Sequence, residues 1–147
     1  MRPFLLFLIG STLAGCVNRV EITKVEITSD TEIARLDIYL RREDIKLLKS
    51  GEYTVWIYAR ECEQSSNDRA LDIYAAGEKV NHSVEWRNKE FDHFVAEAPS
   101  SQLGAYNRLC LRIDGGSYTG SRITSNIFEV RVRSGRQPLR ALSGEQD

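Results

Sequence analysis

The chain has 147 residues, with 20 Lys and Arg against 21 Asp and Glu, and its formal net charge at neutral pH is −1. This balance gives no electrostatic support for a nucleic-acid partner, because proteins that bind nucleic acids carry a basic excess or a basic stripe. The length suits one domain with its own hydrophobic core. We therefore expect a single domain that does not bind nucleic acid.

The first sixteen residues have the pattern of an export signal. A Met-Arg start is followed by a wholly apolar run at 4–9 and by Leu-Ala-Gly-Cys at 13–16. A positive start, a short apolar run and a small-residue cleavage site define such signals, and the run is shorter than the roughly 20 residues of a transmembrane helix. The last four residues resemble the lipobox of bacterial lipoproteins. The resemblance implies that residues 1–15 are a lipoprotein signal peptide and that Cys16 is acylated, as with palmitate, to become the first mature residue.

The predicted lipid on Cys16 determines where we expect the protein to reside. Stable anchoring takes two acyl chains or two signals, and a mature lipoprotein carries enough chains. Val17 and Asn18 stand where lipoproteins of the inner membrane often have an aspartate. For a host that sorts by that rule, the resemblance implies the outer membrane, facing the periplasm. The alternative is an ordinary signal peptide that ends at a chance cysteine.

The other two cysteines form an even pair. With Cys16 assigned to lipid, Cys62 and Cys110 remain in an oxidising compartment, where disulfides persist. A Cys62–Cys110 disulfide is predicted, closing a loop of about 49 residues and contributing roughly 4 kcal/mol in the chain-entropy model. Two free thiols, or half of a metal site, are the alternatives.

Short runs of alternating apolar and polar residues indicate half-buried strands along the mature chain. The predicted strands are 17–28 with a bulge at 23–24, 34–40, 53–60, 71–75, 80–86, 91–96, 106–113 and 127–132. Residues 42–50 predict one or two helical turns. Turns are predicted at 76–78, 87–89 and 115–116, and a loop at 99–104.

Seven or eight short strands without a long helical pattern predict an all-β fold, an antiparallel β-sandwich or barrel. The sequence Ser-Gly-Glu-Tyr at 50–53 resembles the start of a strand in immunoglobulin-like and transthyretin-like sandwiches. Residues 16–30 are assigned to the lipidated N-terminus, a tether and the first strand, and 31–133 to the sandwich. The polar tail 134–147 is predicted to be disordered.

The motifs give no catalytic set. Ser117 lies in a glycine turn and not in the strand-to-helix elbow of a hydrolase, and His82 and His93 lack the spacing of zinc motifs. His82 is expected to pack on the same strand face as Val80, and His93 to lie in a solvated acidic turn. We therefore predict neither an enzyme nor a metal or cofactor site.

Partner contacts are expected from loop residues on a rigid scaffold. Acidic loops, and the Tyr and Arg side chains that are enriched at binding hot spots, supply the candidates. The candidates are Asp68, Asp72, Glu90, Asp92, Tyr118 and Arg122. The glycine-rich stretch 115–121 is either a flexible hairpin loop or a contact loop.

A second resemblance concerns the C-terminal part of the chain. A cysteine-bearing strand and glycine turn at 109–118, followed by Ser-Asn at 125–126 and a last strand, resemble periplasmic immunity lipoproteins of type VI secretion. The resemblance implies a protein that binds an incoming toxic effector, such as a lipase, and blocks its active site. It supplies no inhibitor motif to carry over. One alternative is a structural accessory lipoprotein of an envelope or secretion complex, and another is a hydrolase built from His93, Asp92 and a serine.

Overall fold

Ten short strands dominate the part of the chain that the structure, a computed structural model, describes: residues 16–63, 68–80 and 84–132. The strands are β1 Val17–Val20, β2 Ile22–Ser29, β3 Ile33–Leu40, β4 Thr54–Glu61, β5 Arg69–Ala75, β6 Glu78–Lys79, β7 His93–Pro99, β8 Arg108–Gly116, β9 Arg122–Ser125 and β10 Phe128–Arg131. The helices are α1 Arg42–Ser50, α2 Ser100–Leu103 and a 3₁₀ helix at Glu85–Asn88. The all-β prediction is confirmed. The predicted signal peptide at 1–15 and tail at 134–147 lie outside the described residues.

The strands form one sheet that is nearly closed into a barrel. Their order is β1-β9-β8-β4-β5-β7-β3-β2, with β10 added on β8 and β6 on β5. The two ends of this order, β1 and β2, are consecutive in the chain and are separated only by Glu21. Asn126 bridges the same seam, because the Ile22 N–H donates to its Oδ1 at 2.8 Å and its Nδ2 donates to the Ile22 carbonyl at 3.2 Å.

β5 joins the two halves of the sheet. Its first residues pair with β4, as in Ala59↔Arg69, and its last residues pair with β7, as in Tyr74↔Val95. All of the strand pairs are antiparallel except β1 with β9, which is parallel. One strand thus changes partner along its length, which turns the sheet around the core.

The core is made by one face of each strand, because successive side chains of a strand point to opposite sides. Leu36 and Ile38 of β3 and Leu111 and Ile113 of β8 are fully buried. The helix α1 follows β3 and buries Leu48 against the same core. It is the helix predicted at 42–50, and the Gly51 N–H donates to the Leu47 carbonyl at 2.9 Å where it ends.

Several local predictions are confirmed in the described strands. The predicted bulge at 23–24 corresponds to the register shift between Ile22 and Lys24 in the β2–β3 pair. The turn at 76–78 joins β5 to β6, with positive φ at Ala76 and Gly77, as two-residue hairpin loops of the primed type require. The strands predicted at 34–40, 53–60, 71–75 and 106–113 correspond to β3, β4, β5 and β8.

The strand predicted at 80–86 is wrong in its described part. β6 ends at Lys79, and the 3₁₀ helix covers 85–88, where a turn was expected to begin at 87. Val84 is 63% exposed while Trp86 is fully buried. The side chain of Trp86 packs edge-on against Phe94, with the ring centroids 5.9 Å apart, so tertiary packing overrides the local alternation. His82 lies outside the described residues.

The turn predicted at 115–116 is also wrong, since both glycines belong to β8 and pair with β4 and β9. A Cβ on Gly115 would lie 2.5 Å from the Thr54 carbonyl oxygen, so this glycine allows close approach of strands and does not make a turn. The turn itself spans 117–121. β9 was not predicted, α2 replaces part of the loop expected at 99–104, and the strand expected at 91–96 runs from His93 to Pro99.

Candidate functional site: a cationic groove and the Cys16 edge

A groove of about 1030 Å³ lies between α1 and the segment 87–92, and we call it the α1 groove. Its apolar floor is formed by Leu40, Ile45 and Phe91, and its charged lining by Arg42, Lys46, Lys49, Arg87, Glu90 and Asp92. The volume is about that of the largest small-molecule pockets. Of the predicted partner residues, Glu90 and Asp92 line the α1 groove.

Three of the cations lie on one face of α1. Positions 42, 46 and 49 are four and three residues apart, which places their side chains on the same side of a helix. Within the described part of the chain, neither Arg42 nor Lys46 forms an ion pair. The Lys49 ammonium donates to the Lys89 carbonyl at 2.7 Å and lies 5.3 Å from the centre of the Phe91 ring. Two of the three charges therefore remain available to a ligand.

Arg87 supplies the fourth cation from the opposite wall. Its Nη2 donates to the Tyr53 carbonyl at 3.2 Å, and its guanidinium carbon lies 5.6 Å from the Trp86 ring centre. Its buried Nε has no hydrogen-bond partner among the described residues. A buried donor without an acceptor is destabilising.

Asp92 pairs with its neighbour His93 at the rim of the groove. His93 Nδ1 lies 2.6 Å from Asp92 Oδ1, and this hydrogen bond holds the pKa of the Asp92 carboxyl below its ordinary value. His93 Nε2 lies 3.2 Å from Asp37, and the ring stacks on Tyr39 at 4.8 Å. His93 is therefore half-buried between two carboxylates, and the solvated turn expected for it is wrong.

Two other predicted residues form ion pairs within the domain. Asp68 lies 3.1 Å from Arg112 and 3.6 Å from Arg60, outside the groove. Asp72 lies 2.8 Å from Lys79 on the adjacent hairpin strand, and this hydrogen bond raises the pKa of the lysine. Both acids have local basic partners, so they are less suited than Glu90 to bind a partner's cation.

Tyr118 and Arg122 lie beside the predicted lipidation site, on what we call the Cys16 edge: residues 16–17 and 117–122. Val17 of β1 pairs with Arg122 of β9, and the Arg122 N–H donates to the Cys16 carbonyl at 3.1 Å. Tyr118 is fully exposed. The structure therefore separates the six candidates into three pairs. Glu90 and Asp92 line the groove, Tyr118 and Arg122 lie on the Cys16 edge, and Asp68 and Asp72 form ion pairs within the domain.

The candidate residues predicted from the sequence did not include the groove cations, because acidic loops supplied most of the candidates. Basic residues at 42, 46 and 49 give a one-sided pattern that a helical projection of 42–50 could have found. Arg87 could not have been found in that way. It comes from a separate segment that was assigned to a turn.

The Cys62–Cys110 disulfide is present, with its Cα atoms 5.0 Å apart. It ties the chain just after β4 to β8, and the alternatives of free thiols or half a metal site are wrong. The Glu129 carboxylate lies with the two sulfurs, all within 4.8 Å. However, both sulfurs are used in the disulfide, and Glu129 pairs with Arg108 at 2.6 Å.

No protein-family model, curated protein or solved structure matches this chain. None of the helices in the described ranges has the length and apolar character needed to cross a bilayer.

Proposed function

We propose that this protein is a lipid-anchored binding protein of the bacterial envelope that has no catalytic role. It is held through Cys16 at the outer membrane, facing the periplasm, and acts as an immunity protein that neutralises a type VI secretion effector such as a lipase. The observation that carries the proposal is the α1 groove, which combines an apolar floor with cations that have no ion-pair partner among the described residues. Protein interfaces combine buried apolar anchors with a charged rim in the same way.

The spacing of the cations favours a protein segment over a small anion. Residues 42 to 49 cover about 10 Å along the helix axis, and Arg87 adds a charge from the facing wall. A single phosphate group could not contact all four. An acidic segment with one apolar side chain for the floor would complement both the charge and the depth of the groove.

For the fold, we propose a sandwich-like barrel of the immunoglobulin or transthyretin type. The support is the change of partner along β5, which divides the strands into two halves. Strands that switch from one sheet to the other are usual where two sheets pack around one core.

The proposal is tested with the effector whose gene neighbours this one. A strain that lacks this gene should be inhibited by siblings that deliver the effector, and the gene supplied in trans should restore growth. The purified protein should bind the effector tightly in calorimetry. Arg42→Glu combined with Lys46→Glu should weaken binding roughly tenfold or more, because two partner-facing charges change sign.

The matched control carries the same charge change outside the groove, as Arg69→Glu with Arg131→Glu, both exposed. This variant should bind and protect like the wild type. Full growth of the deletion strain beside effector-delivering siblings would refute the immunity role. Tight binding to a resident envelope assembly, with no affinity for the effector, would instead favour a structural accessory lipoprotein.

A further inference from the structure

We infer that the Cys16 edge is a bilayer-contacting surface, with Tyr118 placed in the lipid headgroup region. The inference rests on the proposed acylation of Cys16 and adds how the domain is oriented on the membrane. It reassigns Tyr118 and Arg122 from partner contact to lipid contact, and it leaves the α1 groove to the protein partner.

The lipid-bearing residue is held directly by the sheet. β1 begins at Val17, and the Cys16 carbonyl accepts a hydrogen bond from the Arg122 N–H at 3.1 Å. No flexible residues separate the anchor from the domain, whereas a linker would allow the domain to move away from the membrane and rotate. Acyl chains on Cys16 lie in the hydrocarbon, so the cysteine lies at the level of the headgroups and its edge of the sheet faces them.

The loop 117–121 leaves the sheet in the same direction as Cys16. β1 and β9 are parallel, with Val17 opposite Arg122, and neighbouring strands lie about 4.8 Å apart. Followed towards the N-terminus from this pair, one chain reaches Cys16 and the other reaches Ser121 and the loop. Tyr118 is therefore presented at the same end of the domain as the lipid.

Hydrogen bonds within the loop fix its shape. The Ser117 N–H donates to the Ser121 carbonyl at 2.9 Å, the Gly120 N–H donates to the Ser117 carbonyl at 3.1 Å, and the hydroxyls of Ser117 and Thr119 lie 2.8 Å apart. Gly120 has a φ of 82°, a conformation that glycine adopts without strain. A loop ordered by its own bonds loses little entropy when it meets a surface.

The exposed side chains of the edge suit a membrane interface. Tyr118 has a relative exposure of 104% and Val17 of 58%. Tyrosine is enriched at the level of lipid headgroups, because its ring is apolar and its hydroxyl is polar. Arg122 is exposed beside them and would attract anionic headgroups.

The test uses the full lipidated protein in vesicles of phosphatidylethanolamine and phosphatidylglycerol. Cys16 carries the lipid and Cys62 and Cys110 are joined, so a Thr119→Cys thiol can be labelled alone with an environment-sensitive fluorophore. The matched control is Ile33→Cys, which replaces an exposed apolar residue at the start of β3. Incorporation of a labelled fatty acid establishes whether Cys16 is acylated.

We expect a blue shift at position 119 and quenching by spin-labelled headgroups, with neither effect at position 33. Tyr118→Ser should remove most of the shift while leaving acylation intact. If the protein is acylated but the fluorophores at positions 119 and 33 show the same shift and quenching, the inference is overturned, while the proposed anchor at Cys16 is still supported. The inference is also overturned if the fluorophore at position 119 shows no blue shift on vesicles but becomes shielded from water when the effector binds. Absence of fatty acid at Cys16 would overturn both the anchor and its orientation, while effector binding at the groove would be unaffected.

Discussion

The α1 groove and the Cys16 edge are built in opposite ways. The groove is concave, combines side chains from α1 and from the segment 87–92, and leaves Arg42 and Lys46 without an ion-pair partner in the described ranges. The edge is defined by backbone hydrogen bonds between β1, β9 and the loop 117–121. Selectivity for a partner depends on side-chain chemistry, whereas a fixed position on a membrane depends on backbone register.

Tyr53 links the two surfaces, one through its side chain and the other through its backbone. Its hydroxyl accepts a hydrogen bond from Asn18 Nδ2 at 2.7 Å, and its carbonyl accepts one from Arg87 Nη2 at 3.2 Å. Asn18 lies two residues from Cys16, and Arg87 lines the groove. The groove and the Cys16 edge are therefore connected through one buried residue.

The largest expected effect comes from the support of the groove. Trp86 is fully buried and packs edge-on against Phe91 and Phe94, so Trp86→Ala should lower the free energy of unfolding by about 3 to 5 kcal/mol. Urea denaturation measures this loss. Val84→Ala, at an exposed position nearby, should change stability by less than about 0.5 kcal/mol. Equal effects of the two variants would show that Trp86 is not the packing centre of this region.

The disulfide supports the half of the sheet that carries the Cys16 edge. Because Cys62–Cys110 joins the end of β4 to β8, replacing both cysteines with serine should cost about 2 to 4 kcal/mol. The measurement is the thermal midpoint of the oxidised protein with and without reductant, and the double variant should match the reduced wild type. A midpoint that does not respond to reductant would contradict a stabilising bond.

A substitution at Gly115 tests how tightly the strands pack next to the Cys16 edge. A Cβ there would lie 2.5 Å from the Thr54 carbonyl oxygen and 2.7 Å from Ile123 Cγ1, so Gly115→Ala should cost roughly 1 to 3 kcal/mol and displace β9. At Gly116 the nearest neighbour is 3.9 Å away, which makes Gly116→Ala the control. Chemical denaturation compares the two, and a Gly115→Ala protein as stable as this control would mean that β9 can shift freely.

The smallest expected effect is a dependence on acid pH. The hydrogen bond from Arg108 lowers the pKa of Glu129 below its ordinary value of 4.5. The pair therefore stabilises the fold above that ordinary value, and the contribution is lost as the pH falls through the lowered pKa. Glu129→Gln should be slightly less stable than the wild type at neutral pH and equal to it in strong acid, as thermal midpoints would show. A difference that persists in strong acid would point to another cause.

Local periodicity predicted the strands whose two faces meet different environments. In β3 every second residue from Ala34 is buried in the core, and in β8 Leu109, Leu111 and Ile113 follow the same alternation. The alternation in the sequence therefore decides which face of these strands points inward. The same reasoning missed β9, which buries only Ile123. Its place in the sheet comes from pairing with β1 and β8, which are remote in the sequence.

The functional surfaces were harder to predict because each joins separate segments. No local pattern relates Arg87 to α1, and the pairing of Val17 with Arg122 cannot be read from spacing. Local turn signals also gave the wrong role to Gly115. Its lack of a side chain serves the contact with β4 and Ile123.

The closure of the sheet has a consequence for the order of folding. Within the part of the chain that the structure describes, β1 pairs only with residues 122–125, so this N-terminal strand has no partner until the C-terminal part of the domain has formed. Before β9 pairs with them, β1 and the end of β8 have unpaired strand edges, which readily associate with other chains. Completion of the barrel is thus the event that hides these edges. We expect a chain shortened before residue 122 to keep these edges open and to be prone to aggregate.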